Sequence, residues 1–163
     1  FTAFDLEGNI VEGTNRPTSE KEVHRQIYLR REDAGMIIHA HTKKAMAVSV
    51  RKIREVPCLV EEMSQLIGGG IPITPQYVPA EQHFQLGTAA AENIGNRNGV
   101  ILRNHGPVAV GRNPEEAVLM VEVIEKACEI FLDQGQMFYA PIPQCYIDSE
   151  RYRYLYKYGN ENT

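Results

Sequence analysis

The chain has 163 residues, a net charge of −4, and 43% hydrophobic against 23% charged residues. That length supports one domain whose core needs no disulfide staple, and the acidic balance speaks against a non-specific binder of nucleic acid or of an anionic membrane. No apolar run approaches the ~20 residues of a membrane helix, and nothing at the start reads as a secretory leader. Cys58, Cys128 and Cys145 are widely spaced with no Cys-x-x-Cys among them, which suggests reduced thiols and a cytoplasmic protein.

In chain order, Phe1-Thr2-Ala3-Phe4-Asp5 reads as a strand already in progress, so a further segment is expected before it. Glu7-Gly8-Asn9 supplies a turn and Ile10-Val11-Glu12 a return strand, giving a hairpin. Pro17-Thr18-Ser19-Glu20 marks a helix start, with Thr18 or Ser19 available as cap and Val23 and Ile27 as the apolar stripe of a helix running to Arg31. Met36-Ile37-Ile38-His39-Ala40 is an apolar strand with a polar end, followed by a helix from 42 to near 52. Residues 56–60 read as a short strand or loop, and 61–67 as a short helix broken by Gly68-Gly69-Gly70. The segment 71–75 holds two prolines, which places it at a sheet edge. A helix spans 80–94 with Gly87 inside it. Strands 99–103 and 107–111 are joined through Asn104-His105-Gly106, and the most regular helix runs from 115 to near 132 behind Pro114. Residues 133–147 look irregular, and Asp148-Ser149-Glu150 reads as the cap of a tyrosine-rich tail helix over 148–163. There are no repeats and no linkers, so 1–163 reads as a single domain. The elements alternate while two strand pairs are hairpin-like, which favours a mixed, mostly antiparallel sheet covered by helices.

The residues that carry chemistry are histidines and one glutamate. Side chains two apart on a strand share a face, so His39 and His41 project together from one strand end. His105 lies at the end of another apolar run. Three neutral imidazoles suit Zn²⁺ with one position left open, although a His-x-His pair also arises by chance at polar strand ends. Glu20 follows two hydroxyl residues at a helix start, where free N–H groups favour anions. It is the candidate general base, with Thr18 and Ser19 as candidate phosphate ligands; an ordinary helix cap is the plainer alternative. His24 reads as a hydrogen-bonded structural residue, His83 as a solvated one and Glu61-Glu62 as surface carboxylates. Gly68-Gly69-Gly70 lacks the Lys-Ser/Thr of a phosphate loop. The tyrosines from Tyr146 to Tyr158 read as packing residues.

The motifs together resemble the class II aldolase/adducin family. The likeness runs through Pro17-Thr18-Ser19-Glu20, His24-x-x-Ile27-Tyr28, Ile37-Ile38-His39-Ala40-His41, Glu61-Glu62-Met63 with its glycines, and Leu102-x-Asn104-His105-Gly106. Glu115-Glu116-Ala117 and Glu125-x-Ala127 also fit. The resemblance implies a three-layer α/β/α sandwich and a homotetramer with active sites between subunits. It implies one zinc per subunit on His39, His41 and His105, with Glu20 as a further ligand that doubles as acid/base. It makes Thr18 and Ser19 ligands of the substrate phosphate and Tyr158 a proton donor acting across the subunit interface. The implied reaction is reversible cleavage of a phosphorylated ketose such as L-fuculose 1-phosphate to dihydroxyacetone phosphate and L-lactaldehyde or a similar hydroxyaldehyde. The family pattern also expects an N-terminal segment with more phosphate-binding groups, and aromatic residues where Glu61 and Ala80 stand here. Sugar-phosphate epimerases share the fold but carry aspartate at the position of Glu20. A methylthioribulose-phosphate dehydratase, or a metal-free adducin-like binding module, is the alternative.

Overall fold

In the computed structural model, which describes residues 1–134 and 139–157, the core sheet has the order β3-β7-β6. Strand β3 (Met36–His39) pairs antiparallel with β7 (Pro107–Gly111), which pairs antiparallel with β6 (Gly99–Ile101). A parallel bridge from Ile73 to Ile101 adds the segment after β5 (Ile71–Pro72) at the edge, and β5 itself pairs with β4 (Glu55–Val56). The opening hairpin is β1 (Ala3–Phe4) with β2 (Ile10–Glu12). The sheet is thus mixed and mostly antiparallel, as the sequence suggested.

Alternation along the strands divides the core into two layers. Val100, Leu102, Val108, Val110 and Ile37 face one way, against Val23 and Ile27 of α1 (Lys21–Tyr28) and Leu86, Ala90 and Ile94 of α3 (His83–Ile94). Ile101, Ala109 and Ile73 face the other way, against α2 (Lys43–Ser49), α4 (Pro114–Asp133) and α5 (Gln144–Tyr156). In α4 the buried Met120, Val123, Ile124, Ala127 and Cys128 repeat at helical spacing and form a continuous stripe. Helix, sheet and helix make the three-layer sandwich, and each fully buried Ile, Leu or Val stabilises it by roughly 1.5–3 kcal/mol. No helix among the described residues is long and apolar enough to cross a membrane.

Several boundaries differ from the sequence reading for local reasons. Helix α1 ends at Tyr28, and neither Thr18 nor Ser19 caps it: the preceding residue is Glu20, with no side-chain cap bond. Thr18 Oγ1 instead accepts from the Glu20 N–H at 3.3 Å, closing a turn ahead of the helix. Residues 63–67 form one π-helical turn, with the Gly68 N–H donating to the Met63 carbonyl at 2.9 Å. Helix α5 begins at Gln144 behind Pro143, earlier than the Asp148-Ser149-Glu150 cap; Asp148 accepts from the Gln144 side chain within the first turn. Tyr146, Tyr152 and Tyr156 are exposed and are not the packing residues they were read as. Gly87 is buried against α1, where a Cβ would strike the Glu22 carbonyl, so it sets how closely α1 and α3 approach.

A polar clamp closes the second layer. Asn113 caps α4 by accepting from the Glu116 N–H at 2.8 Å. The Glu116 carboxylate receives Arg112 through its backbone N–H and guanidinium, and the Tyr154 hydroxyl at 2.6 Å. Burial pushes the Glu116 pKa up, but the Arg112 and Tyr154 hydrogen bonds overcome it and hold it down at about 2. The unfolded chain titrates near 4.5, so the clamp's ionic contribution is complete above that pH and is lost as pH falls toward 2. Denaturant midpoints measured at pH 6 and pH 3 should therefore fall more steeply for the wild type than for Glu116→Gln, which begins less stable and lacks that titration.

Candidate metal centre

The site forms where β3 ends and where the β6–β7 connection turns. His39 is the last residue of β3 and lies opposite Val108. Its Nδ1 is 3.0 Å from the Pro107 carbonyl. A carbonyl only accepts, so Nδ1 carries the proton and Nε2 presents a bare lone pair to the centre. His41 follows two residues later, just before α2. The connection carrying His105 is held in shape by its neighbours. Asn104 adopts a left-handed φ of 55°, which asparagine tolerates better than most residues. The Arg103 guanidinium donates to the carbonyls of Thr74, Ser49, Arg51 and Ile53, fastening the loop to the end of α2. At the other end of α2 the Glu125 carboxylate accepts from the Lys44 and Ala45 N–H groups at 2.8 and 3.0 Å, which fixes the helix that follows His41.

The convergence is close. His39 Nε2 is 3.4 Å from His105 Nε2 and 3.3 Å from His41 Nε2. Glu20, at the start of α1, reaches in from the other layer, with Oε1 3.0 Å from His105 Nε2 and Oε2 3.3 Å from His39 Nε2. One donor atom from each of Glu20, His39, His41 and His105 lies within 4.8 Å of all the others. At a zinc–nitrogen distance of about 2.0–2.1 Å, the nitrogens of a tetrahedral set stand about 3.3–3.4 Å apart. The imidazole separations match that spacing, and lone pairs held so close need a cation or shared protons between them. Burial, the largest cause, pushes the His39 pKa down to about 4, against the pull of Glu20, and lowers that of His105. Both rings are therefore neutral near pH 7, the form that binds a metal. The donor set fits a divalent ion of the zinc class.

The other sequence candidates fall around this centre. Thr18 and Ser19 are exposed just ahead of Glu20. Thr18 borders a cavity of about 380 Å³ between the hairpin and α1, which Lys21, His24 and Tyr28 also line. His24 is half-buried beside Glu20 and outside the donor set; burial lowers its pKa, and no hydrogen bond engages its ring among the described residues, contrary to the expectation of a bonded histidine. His83 is exposed. Glu62 pairs with Lys126 at 2.8 Å and Glu61 with Arg153 at 3.7 Å, the surface role expected of them. Tyr158 lies outside the described residues.

Three supporting groups have roles that the sequence does not show. Glu125 belongs to the family likeness but carries no role there, and it, the Pro107 carbonyl and Arg103 act through contacts between residues far apart in sequence. Glycine at 106 suits both a tight turn and a close approach. Its φ is not positive, and a Cβ there would fall on the Ala40 carbonyl and lie 3.1 Å from the His41 ring. Gly106→Ala should cost about 1–3 kcal/mol through overpacking. It should also lower the metal bound per chain, as read by elemental analysis beside a thermal melt.

Fold and site together define an α/β/α domain with a cluster of three histidines and a glutamate at its strand ends that could hold a metal ion. The profile of the class II aldolase and adducin N-terminal domain matches residues 1–132, and the chain belongs to that family. It is similar to a solved L-fuculose 1-phosphate aldolase at 26% identity and TM-score 0.88, covering 95% of this chain and 72% of that one. An L-fuculose-1-phosphate aldolase from Thermus thermophilus matches at 30% identity and TM-score 0.61, over 80% of this chain and 69% of that one. YgbL from Klebsiella pneumoniae, whose description offers aldolase, epimerase and decarboxylase as alternatives, matches at 23% identity and TM-score 0.79, over 92% and 72%. At that identity the likeness speaks to the fold alone.

Proposed function

We propose that this chain is a zinc-dependent aldolase that reversibly cleaves a phosphorylated ketose of the L-fuculose 1-phosphate kind to dihydroxyacetone phosphate and a short hydroxyaldehyde. The observation that carries the reading is the Glu20 carboxylate lying 3.0 and 3.3 Å from two imidazoles of the histidine set. A base so placed is within reach of a carbon whose neighbouring oxygens face the same centre. A divalent ion held by His39, His41, His105 and Glu20 would supply Lewis acidity at the ketose carbonyl and offset the negative charge that builds up as the carbon–carbon bond breaks.

The residues of the chain do the rest. Glu20 carries the proton to and from the carbon beside the carbonyl. Thr18 and Ser19, exposed at the turn before α1, donate to the substrate phosphate. Tyr158 exchanges the proton of the aldehyde oxygen, contributed across a subunit boundary in a homotetramer. Glu61 and Ala80, in place of aromatic groups, leave the aldehyde end open to a substituent other than that of lactaldehyde. The protein works in the cytoplasm on a small soluble substrate.

Incubation of metal-loaded protein with L-fuculose 1-phosphate should release an aldehyde together with dihydroxyacetone phosphate. If no aldehyde appears while methylthioribulose phosphate is dehydrated, or a sugar phosphate is epimerised, the aldolase assignment fails and the alternative chemistry takes its place. Glu20→Gln should retain metal yet lose about 10²–10⁴-fold in turnover; undiminished turnover would remove Glu20 from the base role. His39→Ala should lose both metal and activity, whereas a wild type that binds no stoichiometric divalent ion points to the metal-free binding module.

A further inference from the structure

At the end of the sheet away from the metal centre lies a second polar cleft. Arg31 and Asp33 precede β3, and Arg97 and Asn98 precede β6, whereas His39 ends β3 and His105 follows β6. The cleft encloses about 830 Å³ between this end of the sheet and α5, within the ~300–1,000 Å³ range of small-molecule sites. Arg30, Arg31, Arg97 and Arg151 line it.

Two of these cations sit on adjacent glycines. Gly68 and Gly69 have φ of 90° and 138°. A Cβ on Gly68 would lie 3.2 Å from Arg151 Nε, and one on Gly69 would lie 2.5 Å from Arg97 Nη1. The bare backbone is what lets both guanidinium groups settle there. Arg31 is joined to them by donating to the Arg97 carbonyl at 2.8 Å. Of the carboxylates on the wall, Glu32, Asp33 and Asp148, only Asp33 pairs with an arginine among the described residues, accepting two bonds of 2.6 Å from Arg31. Asp148 is engaged by Gln144. Arg97 has no side-chain hydrogen bond or ion pair among the described residues. Arg151 donates to the Gln65 and Leu66 carbonyls at 2.7 Å through Nη1, and its Nε and Nη2 make no hydrogen bond among the described residues; burial and the neighbouring Arg31 and Arg112 disfavour its charge, against the pull of Glu116. Four arginines against three carboxylates, Glu32, Asp33 and Asp148, leave the wall with a cationic surplus in a chain of net charge −4, which favours an anion. Guanidinium forks match phosphate oxygens bidentately. Tyr152 and Tyr156, with ring centroids 5.0 Å apart, complete the wall and offer a surface for a carbon skeleton.

We propose that this cleft is a second ligand site, separate from the metal centre, for a small phosphate-bearing molecule gripped by Arg97 and Arg151 above Gly68 and Gly69. The test is an amide-resolved NMR titration of the metal-loaded protein with inorganic phosphate and with pyrophosphate. The Gly68 and Gly69 amides should shift saturably, with pyrophosphate binding the tighter and raised ionic strength weakening both. Arg97→Gln, which breaks no bond of the described structure, should weaken binding at these amides at least tenfold while leaving any shifts near Thr18 and Ser19 as they were. Arg30→Gln, at the rim, should weaken it less. Should Arg97→Gln not fold, the wild-type map still decides. Shifts confined to the Thr18–Ser19 turn, or a Gly68 and Gly69 response unaltered by Arg97→Gln, would overturn the assignment.

Discussion

The β3–β7 ladder places His39 opposite Val108 and its Nδ1 against the Pro107 carbonyl, and the metal centre depends on that register. A slip of one residue would turn every side chain of β3 to the opposite face, carrying Ile37 and His39 together from the α1–α3 side of the sheet to the α2–α4 side and away from Glu20. The register is itself enforced by burial, because Ile37, Val108 and Val110 belong to one hydrophobic layer and Ala109 to the other. Packing energy that has nothing to do with catalysis thus aims the first imidazole and fixes its tautomer.

Around that strand the remaining donors are brought in by constraints from three directions. Gly106 lets the β6–β7 connection touch the Ala40-His41 backbone, and Arg103 ties that connection to the end of α2. Glu125 anchors the start of α2 and so the position of His41. Glu20 arrives from α1, in the opposite layer, whose distance from α3 is set by Gly87. The site draws on both helical layers and the sheet between them, so it exists only when the whole sandwich is assembled.

The electrostatics fit this division. Burial favours the neutral form of His39 and His105, the form that offers a lone pair to a cation. At the opposite end of the sheet the polarity is reversed: arginines gather around Gly68 and Gly69, while the Glu116–Arg112–Tyr154 clamp binds α5 to α4. The histidine–glutamate cluster and the arginine-lined cleft thus stand at opposite ends of the strands.

Much of this was legible in the residues themselves. The period of apolar residues gives β3, β7 and α4, and the strand alternation gives His39 and His41 a common side. Glycines and prolines mark most of the turns, as with Gly68 and Pro114. These are local properties, decided by dihedral preference and hydrophobic spacing over a few residues. Helix ends were less legible, because Thr18 had a backbone N–H other than a helical one to satisfy and Pro143 could begin α5 ahead of the acidic residues. What the sequence determined by itself is the inventory: three histidines and a glutamate of the right chemistry, each at the end of an element. Only tertiary structure decided that Nε2 atoms 66 residues apart would meet at 3.4 Å, that Gly106 would press against the Ala40 carbonyl, and that four arginines would share one cleft. Those outcomes rest on long-range packing and hydrogen bonding, in which the partner of each group is fixed by the assembled core and not by its neighbours in the chain.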